Sequence, residues 1–340
     1  MTTVSRNWVL AGAPEGAPHF DNFRIVSVEL PPLREGGIRV ANTYISVDPG
    51  VLDRLTRDSY APRLQPGEVI DGFSVGVVAE SRNPRFEVGD RVSSANGWRE
   101  GYVSSGRGVL RLHPAVFSPP LTERAAIGAL GVSGLTAYFG IRRVAEARDG
   151  EAVLVSSAAG PVGSTALQVA RNLGCRTVGI AGSEDKCRLV TDELGADECI
   201  NYRAEPDLAA AISRVCPGGV DVYFDNVGAE TLDAALMNMN TGGRVAISGQ
   251  VSEYARIQPR GIRAVGEMIN RRLTMTGFVV WDFLPHFREA MSEMREWIVT
   301  DRLVFREEII DGFENAPAAF LGLFRGENRG RRLIRLVSDA

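Results

Sequence analysis

From Ala152 onward the chain repeats one pattern: a short apolar strand, a glycine turn and an amphipathic helix. Ala152 to Ser156 is a buried-strand run, Val162 to Leu173 a helix closed by Gly174, and Arg176 to Ala181 a second strand. Glu184 to Leu194 is a second helix, closed by Gly195. Strand-like Glu198 to Asn201, a helix at 208–215, strand Val220 to Phe224, a helix near 229–238 and strand Arg244 to Ser248 continue the series. Strands that each feed a helix and return beside the last strand lie parallel, with right-handed crossovers. The pattern therefore predicts a doubly wound α/β domain over residues 123–287.

The flanks read differently. Residues 1–122 hold short alternating runs, such as Ile25 to Leu30, Ile38 to Ile45 and Val75 to Glu80, with Gly and Pro between them. That is the signature of a small barrel or sandwich. Thr122-Glu123-Arg124 before an apolar run reads as a helix start. After a helix at Pro285 to Thr300, strand-like Phe305 to Ile309, a helix at 316–324 and a strand at Arg332 to Val337 follow. The simplest assembly is a β-rich domain from both chain ends, 1–122 and 288–340, with the α/β domain inserted. A length of 340 residues suits two domains.

A formal net charge of -4 gives no reason to expect nucleic acid or an anionic membrane as partner. No run approaches the roughly 18 apolar residues of a membrane span, and the first residues lack a signal pattern. A cytoplasmic location is the expectation. Cys175, Cys187, Cys199 and Cys216 form no C-x-x-C pair, so free thiols are expected rather than a disulfide frame.

The segment from Val153 to Gly163 joins a strand to a helix. A turn that holds a pyrophosphate needs backbone that approaches the ligand closely and a helix N-terminus aimed at the negative charge. Gly160 and Gly163 take the second and third glycine places of that pattern, with Pro161 and Val162 between them. Ser157 stands at the first, so the strict G-x-G-x-x-G is absent. Glycines in such turns also serve plain sterics, but the surrounding βαβ context favours a dinucleotide turn. About 20 residues on, an acidic residue would hold the ribose of NAD. Here that place is Gly182-Ser183, with Lys186 on the next helical turn, which suits the 2′-phosphate of NADP. Glu184 and Asp185 read as first-turn acids favoured by the helix dipole, although either could take an NAD ribose.

Metal chemistry has little to stand on in the sequence. His19, His113 and His286 are the only histidines, none pairs with Cys, Asp or Glu at ligand spacing, and residues 1–122 contain no Cys. There is no Walker loop or H-E-x-x-H. What remains is metal-free hydride transfer, which needs a positioned nicotinamide and an acceptor polarised by hydrogen bonds.

Eight segments together resemble the zinc-independent medium-chain dehydrogenases/reductases: Ser46 to Pro49, Gly67 to Gly76, Gly89 to Val92, Gly134 to Gly140, Ala159 to Gly163, Phe224 to Gly228, Gly277 to Val280 and Glu308 to Pro317. Within that family the chain looks like the branch of leukotriene B4 dehydrogenase, prostaglandin reductase and plant double-bond reductases, which includes curcumin-type reductases. The resemblance spans nearly the whole chain. It implies a Rossmann domain inserted into a GroES-like, partly open barrel, and NADPH-dependent reduction of the carbon–carbon double bond of α,β-unsaturated ketones or aldehydes. Carried over, it assigns Gly160, Pro161, Val162 and Gly163 to the pyrophosphate, and Ser183, Lys186 and Tyr202 to the 2′-phosphate. Asn226 would lie along the cofactor. Ser248, Gly249, Gln250 and Tyr254 would sit beside the nicotinamide ribose, Phe278, Val279 and Val280 would bracket the nicotinamide, and Asn328 would be a late contact. Tyr254 is the candidate donor to the enolate oxygen formed when hydride reaches the substrate β-carbon; the alternative is that it only packs on the ribose.

The chain departs from the family at Gly50, where an aromatic commonly follows Asp-Pro, and at Ser133, where relatives often have Pro. The pocket wall could then come from Tyr44, Tyr60 or Trp281, in a cleft at the carboxyl ends of the parallel strands. A carbonyl or quinone reductase on the same scaffold stays open, as does an inactive NADPH-binding protein. Relatives often form homodimers by joining cofactor-domain sheets, and the same is expected here.

Overall fold

A computed structural model describes residues 4–59, 61–256 and 258–336. It divides into two compact units, one of residues 1–127, 307–328 and 332–340, the other of 128–306 and 329–331.

The first unit is β-rich. Strands β1 (Val4–Leu10) and β2 (Phe23–Glu29) form an antiparallel pair, with Trp8 opposite Ile25. Strands β3 (Ile38–Ser46), β4 (Ser74–Ser81), β5 (Arg91–Ser94), β6 (Gly101–Ser104) and β7 (Leu110–Arg111) belong to a second sheet, and helix α1 (Val51–Thr56) lies between β3 and β4 in sequence. Alternation buries one face of β3 at Ile38, Val40 and Asn42, and its last three residues, Tyr44, Ile45 and Ser46, are all buried. Late residues complete this sheet: β14 (Glu307–Asp311) joins β15 (Arg331–Arg335), which pairs with β3 at Leu333–Ser46. The sheet path β14-β15-β3-β4-β5-β7 does not close on itself. Helix α9 (Ala316–Phe324) supplies Phe320, whose ring meets Phe23 and Trp98 edge-on at 5.8 Å. Trp98 is fully buried and its indole N–H donates to the Ser46 carbonyl at 2.9 Å, so the aromatic core carries no unpaired donor there.

The second unit is a six-stranded parallel sheet. Its strands are β8 (Ala152–Ser156), β9 (Arg176–Ala181), β10 (Glu198–Asn201), β11 (Val220–Asp225), β12 (Met239–Ile247) and β13 (Thr274–Gly277). Helices α2 (Val132–Phe139), α3 (Pro161–Asn172), α4 (Glu184–Arg188), α5 (Leu208–Val215), α6 (Ala229–Leu236), α7 (Gly266–Asn270) and α8 (Phe287–Val299) complete it. The spatial order β10-β9-β8-β11-β12-β13 reverses direction between β8 and β11. That is the switch point of a doubly wound sheet, where ligands bind at the carboxyl ends of the strands. Apolar runs on β8, β9 and β11 are buried throughout, as strands covered on both faces must be.

Several element ends differ from the sequence reading. The helix expected from Thr122 is a 3₁₀ turn, Glu123–Ile127, followed by α2. The helix read over Glu184 to Leu194 is α4 continued by a π turn at Leu189–Glu193. The sequence reading drew boundaries at 122/123 and 287/288, and the compact units meet at 127/128 and 306/307. Residues 287–306 stay with the parallel sheet because α8 packs on α2. The Tyr138 hydroxyl donates to Glu293 at 2.5 Å, Arg142 also binds Glu293, and Met294 is fully buried. Gln168 on α3 then exchanges two hydrogen bonds with the Val304 backbone.

Gly140, at the end of α2, has no room for a side chain. A Cβ there would overlap the Phe224 ring and come within 2.7 Å of Phe278 Cζ. Gly140→Ala is expected to lower stability by about 1–3 kcal/mol, the usual cost of overpacking, as a lower urea midpoint with an unchanged slope. An unaltered midpoint would mean that the two rings can move aside.

Candidate active site

The turn after β8 is built for close approach. Ser157 takes φ +51°, the left-handed conformation that a first-place glycine would adopt without strain. The Ala158 N–H donates to Ile180 and the Gly160 N–H to the Ser157 carbonyl, at 3.0 and 2.9 Å, which pins the turn to β9 and to itself. Gly160 is the extended N-cap of α3 and Pro161 its first residue, where a missing N–H costs nothing. A Cβ at Gly163 would overlap the Ser157 carbonyl, so glycine lets the first turn of α3 close on the strand end. The N–H groups of that turn lack intrahelical acceptors and form an anion-binding end. Gly160, Pro161 and Val162 remain half-buried there.

One strand over, Gly182 and Ser183 end β9. The Ser183 hydroxyl caps α4 by accepting from the Lys186 N–H at 3.3 Å. A Cβ at Gly182 would lie 3.1 Å from Tyr202 Cε1, so the Tyr202 ring edge covers this position. Arg203 lies beside it: its Nε donates to the Tyr202 hydroxyl at 3.3 Å, and its guanidinium sits 5.8 Å from that ring's centroid. The fold thus brings Ser183, Lys186 and Tyr202 together at the ends of β9 and β10. The two acids that left the cofactor open are engaged elsewhere. Glu184 accepts from Asn201 at 2.7 Å, and Asp185 pairs with both Arg188 and Arg329. Sequence reasoning missed Arg203 and Arg329; the Tyr202-Arg203 dipeptide at the end of a strand was the available signal for the first.

At the end of β11, Asp225 is fully buried. Its Oδ1 accepts from the Tyr223 hydroxyl at 2.7 Å, the Ser156 hydroxyl at 3.1 Å, and the Val227 and Gly228 N–H groups at 2.9 and 3.0 Å. Burial pushes its carboxyl up, against the pull of these donors. Its backbone carbonyl accepts from the Ser248 and Gly249 N–H groups. Asn226 is held by Ser156, through its N–H at 2.8 Å and its side-chain amide at 2.7 Å. Tyr254 folds back on the same loop. Its hydroxyl accepts from the Gln250 N–H at 3.4 Å and would be 3.2 Å from a Cβ at Gly249. Asn226, Ser248, Gly249, Gln250 and Tyr254 therefore form one cluster beside the switch point.

Beyond β13, the Phe278 ring packs edge-on against Phe224 and Phe283, at 6.4 and 6.3 Å. Val280 is buried and Val279 exposed. Trp281 is 46% exposed, with its ring 6.1 Å from Phe287. The remaining candidates belong to the first unit. Tyr44 is a buried core residue packed with Val75, Leu112, Ile127 and Leu333, under the Arg124 guanidinium. Gly50 faces open space, since a Cβ there meets nothing within 4 Å. Asn328 follows α9 in the same unit. Tyr60 lies outside the described residues.

Two family models match, one described as the N-terminal domain of oxidoreductase over residues 6–112, the other as zinc-binding dehydrogenase over 161–299. The chain is 36% identical to NADPH-dependent curcumin reductase of Escherichia coli (strain K12), over 98% of both chains. It is 37% identical to prostaglandin reductase 1 of Mus musculus, covering 97% of this chain and 99% of that one. It is 36% identical to 2-alkenal reductase (NADP(+)-dependent) of Nicotiana tabacum, over 97% of both. The solved structure of CurA in complex with NADPH from Vibrio vulnificus superimposes with a TM-score of 0.92 at 34% identity, covering 98% of this chain and all of that one. This chain is a medium-chain dehydrogenase/reductase of the curcumin, prostaglandin and 2-alkenal reductase branch.

One of the medium-chain family models is named for zinc. Among the described residues, no group of three or more His, Cys, Asp or Glu could hold a metal ion. No helix among them is long and apolar enough to cross a membrane. What this member of the family does present is a glycine-lined turn, a cationic strand end and a loop carrying a tyrosine hydroxyl. Those parts fit a phosphorylated dinucleotide. Gly163 and Gly182 clear the backbone, and the nearby carboxylates of Glu184 and Asp185 are already engaged.

Proposed function

We propose that this chain reduces the carbon–carbon double bond of α,β-unsaturated ketones and aldehydes with NADPH. The observation that carries the reading is full-length similarity to three reductases together with the strand end at Gly182. There Ser183, Lys186, Tyr202 and Arg203 gather, and the carboxylates of Glu184 and Asp185 already accept from Asn201, Arg188 and Arg329. Residues 128–306 serve as the cofactor domain and the β-rich unit as the substrate domain. The pyrophosphate rests on Gly160 to Gly163 and the 2′-phosphate on Ser183, Lys186 and Tyr202. Asn226, Ser248 to Gln250, Phe278 to Val280 and Asn328 complete the binding residues. Bound NADPH supplies the hydride. The chain's own part is to fix the acceptor and carry charge and proton at its oxygen. Tyr254 does this with its hydroxyl, which accepts from the Gln250 N–H.

The direct test is reduced-nicotinamide consumption with a panel of enones, enals and quinones, with NADPH and NADH side by side and products identified. A saturated carbonyl product with preference for NADPH is expected. An allylic alcohol or a hydroquinone would shift the assignment to carbonyl or quinone reduction. NADPH binding with no turnover of any acceptor would point to a binding protein. Tyr254→Phe is expected to lower kcat about a hundredfold, at the low end for a positioned acid, with NADPH affinity nearly kept. Full turnover with an unchanged pH profile would restrict Tyr254 to packing.

Strand β13 is the last of its sheet, with one edge unpaired by the described strands, and Ile269, Trp281 and Leu284 nearby are exposed. Such an edge suits pairing with a second copy, so a homodimer is the proposed assembly; a monomer mass in solution would exclude it. Four free cysteines fit a cytoplasmic location.

A further inference from the structure

Two of the four cysteines face each other beside the proposed 2′-phosphate site. Cys187 is on α4, next to Lys186; Cys199 is on β10, three residues before Tyr202. Their sulfur atoms are 2.9 Å apart, with the Cys199 S–H donating to Cys187. Gly179 on β9 makes the room: a Cβ there would reach 3.4 Å from Cys199 Sγ. An S–S bond is about 2.05 Å long, so closure needs a movement of under about 1 Å.

We propose that Cys187 and Cys199 are a peroxide-modified pair, and that closing them into a disulfide weakens 2′-phosphate binding by pulling α4, with Lys186, onto β10. The second half rests on the NADPH reading above. The chemistry balances with hydrogen peroxide as oxidant. The Cys187 thiolate attacks a peroxide oxygen; an S–O bond forms, the O–O bond breaks, and the departing hydroxide takes up the proton lost from the thiol as water. The Cys199 sulfur then attacks the sulfenyl sulfur; the S–S bond forms, the S–O bond breaks, and a second water leaves with the Cys199 proton. Both thiols are oxidised and the peroxide is reduced.

The local chemistry favours this order. The hydrogen bond from Cys199 holds Cys187 below the ordinary thiol range, and the same bond pushes Cys199 up. Thiolate character selects the sulfur that peroxide attacks. Cys187 is buried, with exposed Arg188 next to it in the chain, and Cys199 is half-buried. The other two thiols differ. Burial pushes Cys175 up to about 11 and also raises Cys216, and each faces only carbonyl or arginine groups.

The test treats the reduced full-length protein with hydrogen peroxide, maps cysteines by mass spectrometry without reductant, and measures affinity for 2′,5′-ADP and 5′-AMP before and after. A linked Cys187–Cys199 peptide, removed by dithiothreitol, is expected. Affinity for 2′,5′-ADP should fall about tenfold, the effect of weakening one charge-assisted contact, with 5′-AMP unchanged. Sulfinic acids on these cysteines without a link would overturn the proposal, as would a link that leaves 2′,5′-ADP affinity unaltered. Cys199→Ser should lose both effects; a peroxide-dependent loss of affinity that survives in this variant also overturns it. The NADPH reading is scored separately on the reduced protein, which fails it by binding 5′-AMP as tightly as 2′,5′-ADP.

Discussion

Asp225→Ala is expected to destabilise the protein by about 3–5 kcal/mol, the range for breaking a buried charged hub. The carboxylate is fully buried and serves two side chains and two backbone N–H groups at once. Removing it leaves the Tyr223 and Ser156 hydroxyls and the N–H groups of Val227 and Gly228 without their acceptor, and each buried donor left unpaired costs about 1–3 kcal/mol. The damage reaches the site, because the Ser156 hydroxyl also accepts from the Asn226 N–H. Chemical denaturation should show a lower midpoint, and residual NADPH binding should weaken with it. A loss below about 1 kcal/mol would mean that water replaces the carboxylate at low cost.

Lys186→Ala is expected to raise KM for NADPH about 10- to 100-fold and to leave KM for NADH within about twofold. The physical basis is the proposed charge-assisted contact to the 2′-phosphate, worth about 1.5–3 kcal/mol, which only the phosphorylated cofactor would make. The variant keeps the backbone N–H that Ser183 caps, so α4 should stay formed. Arg203 remains beside Tyr202 and should retain part of the preference. Equal losses for both cofactors would show that Lys186 acts by holding α4 in place.

The turn at 157–163 was legible because its glycines answer a local demand. Gly163 must clear the Ser157 carbonyl, and the conformation that a glycine would favour falls on Ser157. The second strand end was half legible. Gly182-Ser183 and Lys186 could be read, but the same five residues held Glu184 and Asp185, and local sequence carries no information on which charge is already paired. Asn201 and Arg329 settle that, from 17 and 144 residues away in the chain. Tyr44 shows the converse. As an aromatic in a β-rich half it was a fair pocket candidate, and it is buried in the core of its unit.

The sequence by itself determined the alternation of strand and helix from Ala152 to Ser248, hence the parallel sheet, because each period is set by which face of a short element must be buried. It also determined the glycine turn at 157–163, because backbone clearance there depends on atoms only a few residues apart. The tertiary structure decided what depends on partners distant in the chain. It joined 287–306 to the parallel sheet through Glu293 and Gln168, made Asp225 the hub for residues from 156 to 249, and set Cys187 against Cys199. Those outcomes rest on long-range packing and hydrogen-bond satisfaction, which no local window of sequence encodes.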